Sequence, residues 1–173
     1  MIDEIDRNIL QLLQENARMS NAEIARRVEM VPSGVFERIR KLEARGMIRG
    51  YEPRLEPKEL GFGLVAFIFV RAEESVGSSQ AGARLAEIPE VQEVHHIAGE
   101  DCYLVKVRVA DTEALGRLLR DRFGAVPEVR STRTTIVLRT VKETAQLPLG
   151  APPRKLATPT PPPSPDSRRE TTE

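Results

Sequence analysis

The chain has 173 residues and balances 26 Lys plus Arg against 26 Asp plus Glu, so no global field draws it to nucleic acid or to an acidic membrane surface. A single cysteine, Cys102, excludes an intramolecular disulfide framework and a cysteine-based zinc site. No stretch reaches the apolar length of a membrane span, and Asp3, Glu4, Asp6 and Arg7 interrupt the first apolar positions as a signal peptide would not allow, so the expectation is a cytoplasmic protein.

The first predicted helix has Asp3 as its N-cap and Ile5, Ile9, Leu12 and Leu13 as its apolar stripe. A second, short helix starts at Ser20, where Ser20 and Glu23 have the spacing of a capping box, and Ile24, Ala25 and Val28 form its inner stripe. The third begins near Pro32, whose fixed φ and missing N–H suit a first helical turn, and stops at Gly46. Val35, Ile39 and Leu42 recur at helical spacing and belong inside. Ser33, Glu37, Arg40, Lys41 and Ala44 fall on the outer face, with Gly34, Arg38 and Arg45 along one edge.

Two short amphipathic helices with a tight break, the second bearing a basic outer face, read as a helix-turn-helix. Between Arg18 and Arg49 eight basic residues stand against four acidic ones, so the charge missing from the whole chain is present locally. The partner this face implies is double-stranded DNA. Arg38, Arg40, Lys41 and Arg45 are expected at phosphates or guanine edges, with Ser33 and Glu37 nearest the bases and Gly34 beside them. Arg18, Asn21, Arg26, Arg27 and Arg49 complete the DNA-binding set, the arginines mainly positioning the duplex. The competing reading is an antiparallel helix pair with a solvated charged face; the positions of cap, break, proline and glycine favour the motif.

Residues 51–63 contain Pro53, Pro57, Gly61 and Gly63 and read as a hinge or linker with one short strand, after a DNA-binding domain of residues 1–50. Residues 64–144 then alternate in the order strand, helix, strand, strand, helix, strand. LVAFIFVRA, VQEVHHIA, CYLVKVRVA and TTIVLRTV are the strands; SSQAGARLAEI and TEALGRLLRDRFG are the helices, with Leu85 and Ile88 inward in one and Leu115, Leu118, Leu119 and Phe123 in the other. Pro89, Glu90 and Val91 recur as Pro127, Glu128 and Val129, each time between a helix and a strand, so the segment contains two similar halves. Right-handed crossovers then give an α+β, ferredoxin-like βαββαβ domain with both helices on one face of an antiparallel sheet. Its other face would expose some of Val65, Phe67 and Phe69, or Val105 and Val107, and a homodimer that pairs the sheets would cover them. Residues 145–173 hold eight of the prolines and little to bury, and read as a disordered tail.

The run from Asp3 to Thr144 resembles the Lrp/AsnC, or feast/famine, transcription regulators, most specifically in DEIDRNILQLLQENARMSNAEIARRV, FERIRKLEARGMI, GEDCYLVKV and TTIVLRTVKET. The resemblance implies a DNA-binding helix-turn-helix, a hinge strand, and a ferredoxin-like domain that dimerises and builds higher oligomers. It also implies a free amino acid as effector, bound between C-terminal domains, and neither catalytic residues nor a cofactor. Its effector site maps to Gly99, Glu100, Asp101, Cys102 and Tyr103. An acidic side chain there would pair with a ligand ammonium while backbone amides take the carboxylate; a plain solvated hairpin turn is the competing reading. Two places depart from the family. At the start of the recognition helix Val31 stands where a serine N-cap is frequent and Gly34 loosens the first turn, and the effector turn reads Gly99, Glu100, Asp101, Cys102 where members often show glycine, an acidic residue, a variable one and then aspartate.

Other residues point to no site. His95 and His96 are strand neighbours on opposite faces and cannot share a metal, Cys102 has no His and Asn companions of a nucleophile, and Gly61-Phe62-Gly63 lacks a phosphate-loop continuation. Two alternatives belong to other classes. Some haem-pathway decarboxylases resemble the same two-domain family and would use the histidines at a tetrapyrrole site, and a DNA-compacting architectural protein would bind with weak sequence preference.

Overall fold

Asp3 ends the extended backbone at the start of the chain by accepting the Asp6 N–H at 2.8 Å, while Asp6 reaches back to the Asp3 N–H at 3.4 Å, and this reciprocal cap starts α1, Glu4–Glu15. The computed structural model describes residues 2–75 and 78–150, and these form two units. In the first, α1 is followed by α2, Asn21–Arg27, and α3, Pro32–Ala44. Ser20 Oγ accepts the Glu23 N–H at 3.2 Å, but the return half of the expected box is replaced: Glu23 turns its carboxylate to Arg27 Nη2, 2.7 Å away. An arginine one turn ahead offers a charged donor, which outcompetes a neutral amide.

The break between α2 and α3 is a tight turn in which Glu29 takes φ +54°, a left-handed conformation unusual for a residue with a Cβ, and Met30 N–H returns to Ala25 O at 2.9 Å. Val31 caps α3 without a side-chain bond, and Pro32 supplies the first-turn conformation in its place. Gly46, at φ +67°, ends α3 and lets the Met47 and Ile48 amides bond Leu42 O. Ile9, Ile24, Ala25 and Val35 form the core, with Leu12, Leu13, Val28 and Ile39 packed around it. Each such aliphatic side chain removed from water contributes about 1.5–3 kcal/mol, enough to offset the ordering of three short helices only because they share one core.

The same unit contains residues 145–150, which the sequence assigned to a disordered tail. Gln14 of α1 accepts the Leu147 N–H at 2.6 Å and donates to Leu147 O at 3.1 Å, and Gln146 Nε2 donates to Gln14 O at 2.8 Å. An amide side chain matches one peptide unit with both its donor and its acceptor, so this segment is ordered by hydrogen bonds and needs no apolar content of its own. The proline-rich remainder of that tail lies outside the described residues.

The second unit spans Glu52–Thr144. It contains β1 (Leu64–Ala72), α4 (Gln80–Ala86), β2 (Val91–His96), β3 (Tyr103–Val109), α5 (Thr112–Leu118) and β4 (Val129–Ile136), with a π-helical turn at Leu119–Phe123 extending α5. The sheet order β2-β3-β1-β4, antiparallel throughout, is that of two interleaved βαβ halves. The last strand starts at Val129, five residues before the expected TTIVLRTV, because β4 pairs with β1 from its end at Ala72 back to Ala66. Residues 51–63 contain a turn around 57–61 but no strand. Pro53 and Pro57 supply no ladder donors there.

Register decides which face each apolar residue meets. Ile68 lies opposite Val105 and Ala66 opposite Val107, and all four are fully buried under the helices with Val70, Leu85, Leu115, Leu118 and Phe123. Val105 and Val107 are therefore core residues and do not belong to the outer face. That face carries Val65, Phe67 and Phe69 of β1, opposite Arg108, Lys106 and Leu104 of β3. Lys106 donates to Glu93 at 3.0 Å and to Glu143, and Arg108 Nη2 donates to Glu143 at 3.1 Å, so the two basic side chains that β3 places on this face are already paired. Burial alone would lower the Lys106 ammonium, but the two carboxylates outweigh it and hold it above the ordinary lysine range.

Candidate nucleic-acid interface

Thirteen residues of α3 present two charged edges with different fates. Ser33, Glu37, Arg40, Lys41 and Arg45 are exposed, as the helical spacing requires of side chains opposite Val35 and Leu42. Arg40 Nε lies 3.9 Å from Glu37 and stays 69% exposed, so its guanidinium is held loosely and remains available to an anion. Gly34 is half-buried, and a Cβ there would stand 2.9 Å from Met30 Cε, the movable end of a side chain.

Arg38 departs from the expectation. Its Nη1 donates to Asp3 Oδ2 and to Asp6 Oδ1, both at 2.7 Å, and only 28% of its side chain is exposed. It sits 60° around the helix from buried Val35, close enough to the inner face for a long side chain to reach the start of α1. The two aspartates hold the guanidinium above its ordinary range. The Asp6 amide and then Arg38 lower the Asp3 carboxyl. Arg38 thus fastens the recognition helix to α1 and is not part of the outer basic face. The sequence signal was present in Asp3 and Asp6, two carboxylates three residues apart on the side of α1 facing α3.

The other DNA-binding candidates lie around this helix. Arg26 and Arg27 occupy the last turn of α2, where positive charge complements the helix dipole; Arg26 is exposed and Arg27 is shared with Glu23. Arg18 is exposed ahead of α2, Asn21 is half-buried at its first position, and Arg49 is exposed just past the α3 stop. Phe36, not among the residues singled out from sequence, is 53% exposed on α3.

The proposed effector turn joins β2 to β3. Gly99 takes φ +133°, a conformation that needs glycine, and Glu100 beside it is exposed. Asp101 is half-buried and accepts from Arg133 Nη2 at 2.9 Å, while the same guanidinium lies over the Phe69 ring at 3.9 Å. Cys102 donates its thiol to Ala72 O at 3.3 Å, a structural contact. Tyr103 is 2% exposed and belongs to the core, which removes it from the residues that can touch a ligand at the surface of this turn. Its hydroxyl donates to Glu74 Oε2 at 2.7 Å, and burial together with that carboxylate pushes the phenol up to about 12. Tyrosine at the first position of β3 faces inward because its neighbour Leu104 faces outward, a parity that depends on register and not on residue type. His96 stacks on Tyr103 with centroids 5.0 Å apart and His95 faces the other way toward Glu93 at 3.1 Å, so the two histidines do part across the sheet.

Two family matches divide the chain along the same lines: residues 2–49 match the winged helix-turn-helix DNA-binding family, and residues 65–147 match the Lrp/AsnC ligand binding domain. The chain is 37% identical over 148 residues to the leucine-responsive regulatory protein of Salmonella typhimurium, covering 84% of this chain and 90% of that one. Among solved structures it is similar to a Neisseria meningitidis transcriptional regulator in complex with L-Met, with 32% identity and a TM-score of 0.79 over 87% of this chain and 98% of that chain. It is also similar to the feast or famine regulatory protein from M. tuberculosis complexed with L-methionine, with 37% identity and a TM-score of 0.78 over 85% and 99% of the two chains. These relatives are regulators, a non-enzymatic role, and among the described residues no helix is long and apolar enough to cross a membrane.

Proposed function

The chain belongs to the Lrp/AsnC family of DNA-binding transcriptional regulators, and from that premise we propose that it reads DNA with the outer face of α3 and adjusts that binding to an amino acid held at the turn 99–102. The observation that carries the first half is the exposed row Ser33, Glu37, Arg40, Lys41 and Arg45 on the second helix of a helix-turn-helix, flanked by Arg18, Asn21, Arg26, Arg27 and Arg49. Ser33 and Glu37 lie nearest the bases in this reading, and the cations hold the phosphates. Relatives in complex with L-methionine support the second half. An α-amino acid offers an ammonium to Asp101 in exchange for Arg133, with Glu100 adding negative charge and the amides around Gly99 donating to its carboxylate.

Selection of bound sites from random duplexes, with and without a panel of amino acids, tests both halves. Calorimetry then compares wild type with Glu100→Gln and Asp101→Asn combined. Amino-acid binding weakens at least tenfold in the double variant while DNA binding without effector persists; equal binding by both proteins places the sensor elsewhere.

We further propose that two copies pair through the outer face of the sheet, because Phe67, Phe69 and Leu104 form a half-buried apolar strip on the side that the helices leave uncovered. Phe67→Asp then converts the assembly to monomers in light scattering. An unchanged mass moves the contact to another surface.

A further inference from the structure

Phe36 is a large apolar side chain at the outer edge of α3, between Ile39 at the border of the core and the polar row of Ser33, Glu37 and Arg40. It lies one turn after Ser33 and one turn before Arg40, adjoins Glu37, and is 53% exposed. It takes no part in the core of Ile9, Ile24, Ala25 and Val35, nor in the partly buried fringe around it. Val31, the N-cap of the same helix, is 65% exposed at the same end. A single exposed hydrophobic residue is ordinary on a protein surface. This one occupies the fifth position of a recognition helix, among cations that attract a polyanion, and the N-terminal residues of such a helix are those that meet base edges.

The chemistry narrows what it can read. A phenyl ring neither donates nor accepts a conventional hydrogen bond, so it gains nothing from the N7, O6, O4 or amino groups of the bases. The apolar group on the floor of the major groove is the C5-methyl of thymine. Resting on the DNA-binding reading above, we propose that Phe36 determines sequence preference by packing on a thymine methyl in each half-site, with Ser33, Glu37 and Arg40 around it supplying the polar contacts. Desolvating the ring against that methyl stabilises thymine over cytosine at one position, and over uracil at the same position although the pairing pattern of the two bases is identical.

That identity supplies the test. In a duplex chosen by selection against wild-type protein, each thymine is replaced singly by uracil and affinity is measured at fixed salt. One position per half-site weakens by about fourfold, the value of one buried methyl. Phe36→Ala weakens binding to the thymine duplex and abolishes the thymine–uracil difference, and Phe36→Leu retains it. If wild type selects a duplex but binds every uracil version as tightly as the parent, or if Phe36→Ala keeps the difference, this proposal is overturned and the DNA-binding reading stands. If wild type selects no duplex, the DNA-binding reading itself falls. The uracil series needs no variant protein, so a misfolded mutant cannot obscure the result.

Discussion

Arg38→Ala lowers the stability of the helix-turn-helix by about 1–3 kcal/mol, and any loss of DNA binding follows from that unfolding. The reason is the Asp6 carboxylate, whose side chain is only 12% exposed and whose Oδ1 accepts from Arg38 at 2.7 Å. Removing the guanidinium leaves a largely desolvated charge without its donor, the costly half of a broken ion pair. The figure stays below that of a fully buried pair because Arg38 is itself 28% exposed and partly screened by water. Thermal melting of the variant checks the stability; a duplex titration well below its melting temperature separates folding from contact. An unchanged melting temperature with lost DNA affinity would return Arg38 to the DNA-binding face.

Arg40 and Lys41, in contrast, are exposed, and changing both to alanine leaves the melting temperature within a degree or two while weakening duplex binding at least tenfold. Each phosphate contact removed takes about 0.9 from the slope of log K against log salt, so the double variant flattens the plot by up to about 1.8 per half-site. A lowered affinity with an unaltered slope and relaxed base preference would instead show the two side chains reading guanine edges. Unaltered affinity at fixed salt would falsify the assignment of this face to DNA.

These two predictions separate residues that look equivalent in the sequence. Arg38 and Arg40 are both arginines in FERIRKLEARG, two positions apart, and helical periodicity places Arg38 only at one edge of the outer face. What decides its role is the position of Asp3 and Asp6, more than thirty residues earlier, brought beside α3 when α1 packs on the shared core. Tyr103 shows the same dependence. The turn ahead of it is legible from Gly99, but whether the strand's first side chain faces water or α4 follows from pairing with β1, where Val70 lies opposite Tyr103.

What the sequence by itself determined is local and periodic: the three helices and their stops, the order of strands and helices after the linker, and the exposed placement of Ser33, Glu37, Arg40 and Lys41 opposite Val35 and Leu42. Those follow from caps, proline and glycine positions and 3.6- or two-residue repeats, which act within a few residues of chain. The tertiary structure decided whatever depends on a distant partner. It turned Arg38 inward to the aspartates of α1, paired Asp101 with Arg133, placed Val105 and Val107 under the helices, began β4 at Val129, and ordered residues 145–150 on Gln14. A long polar side chain has many reachable partners and no periodicity, and a strand's register is fixed only by the strand beside it. Such contacts become definite only when the folded core holds the two groups within hydrogen-bonding distance.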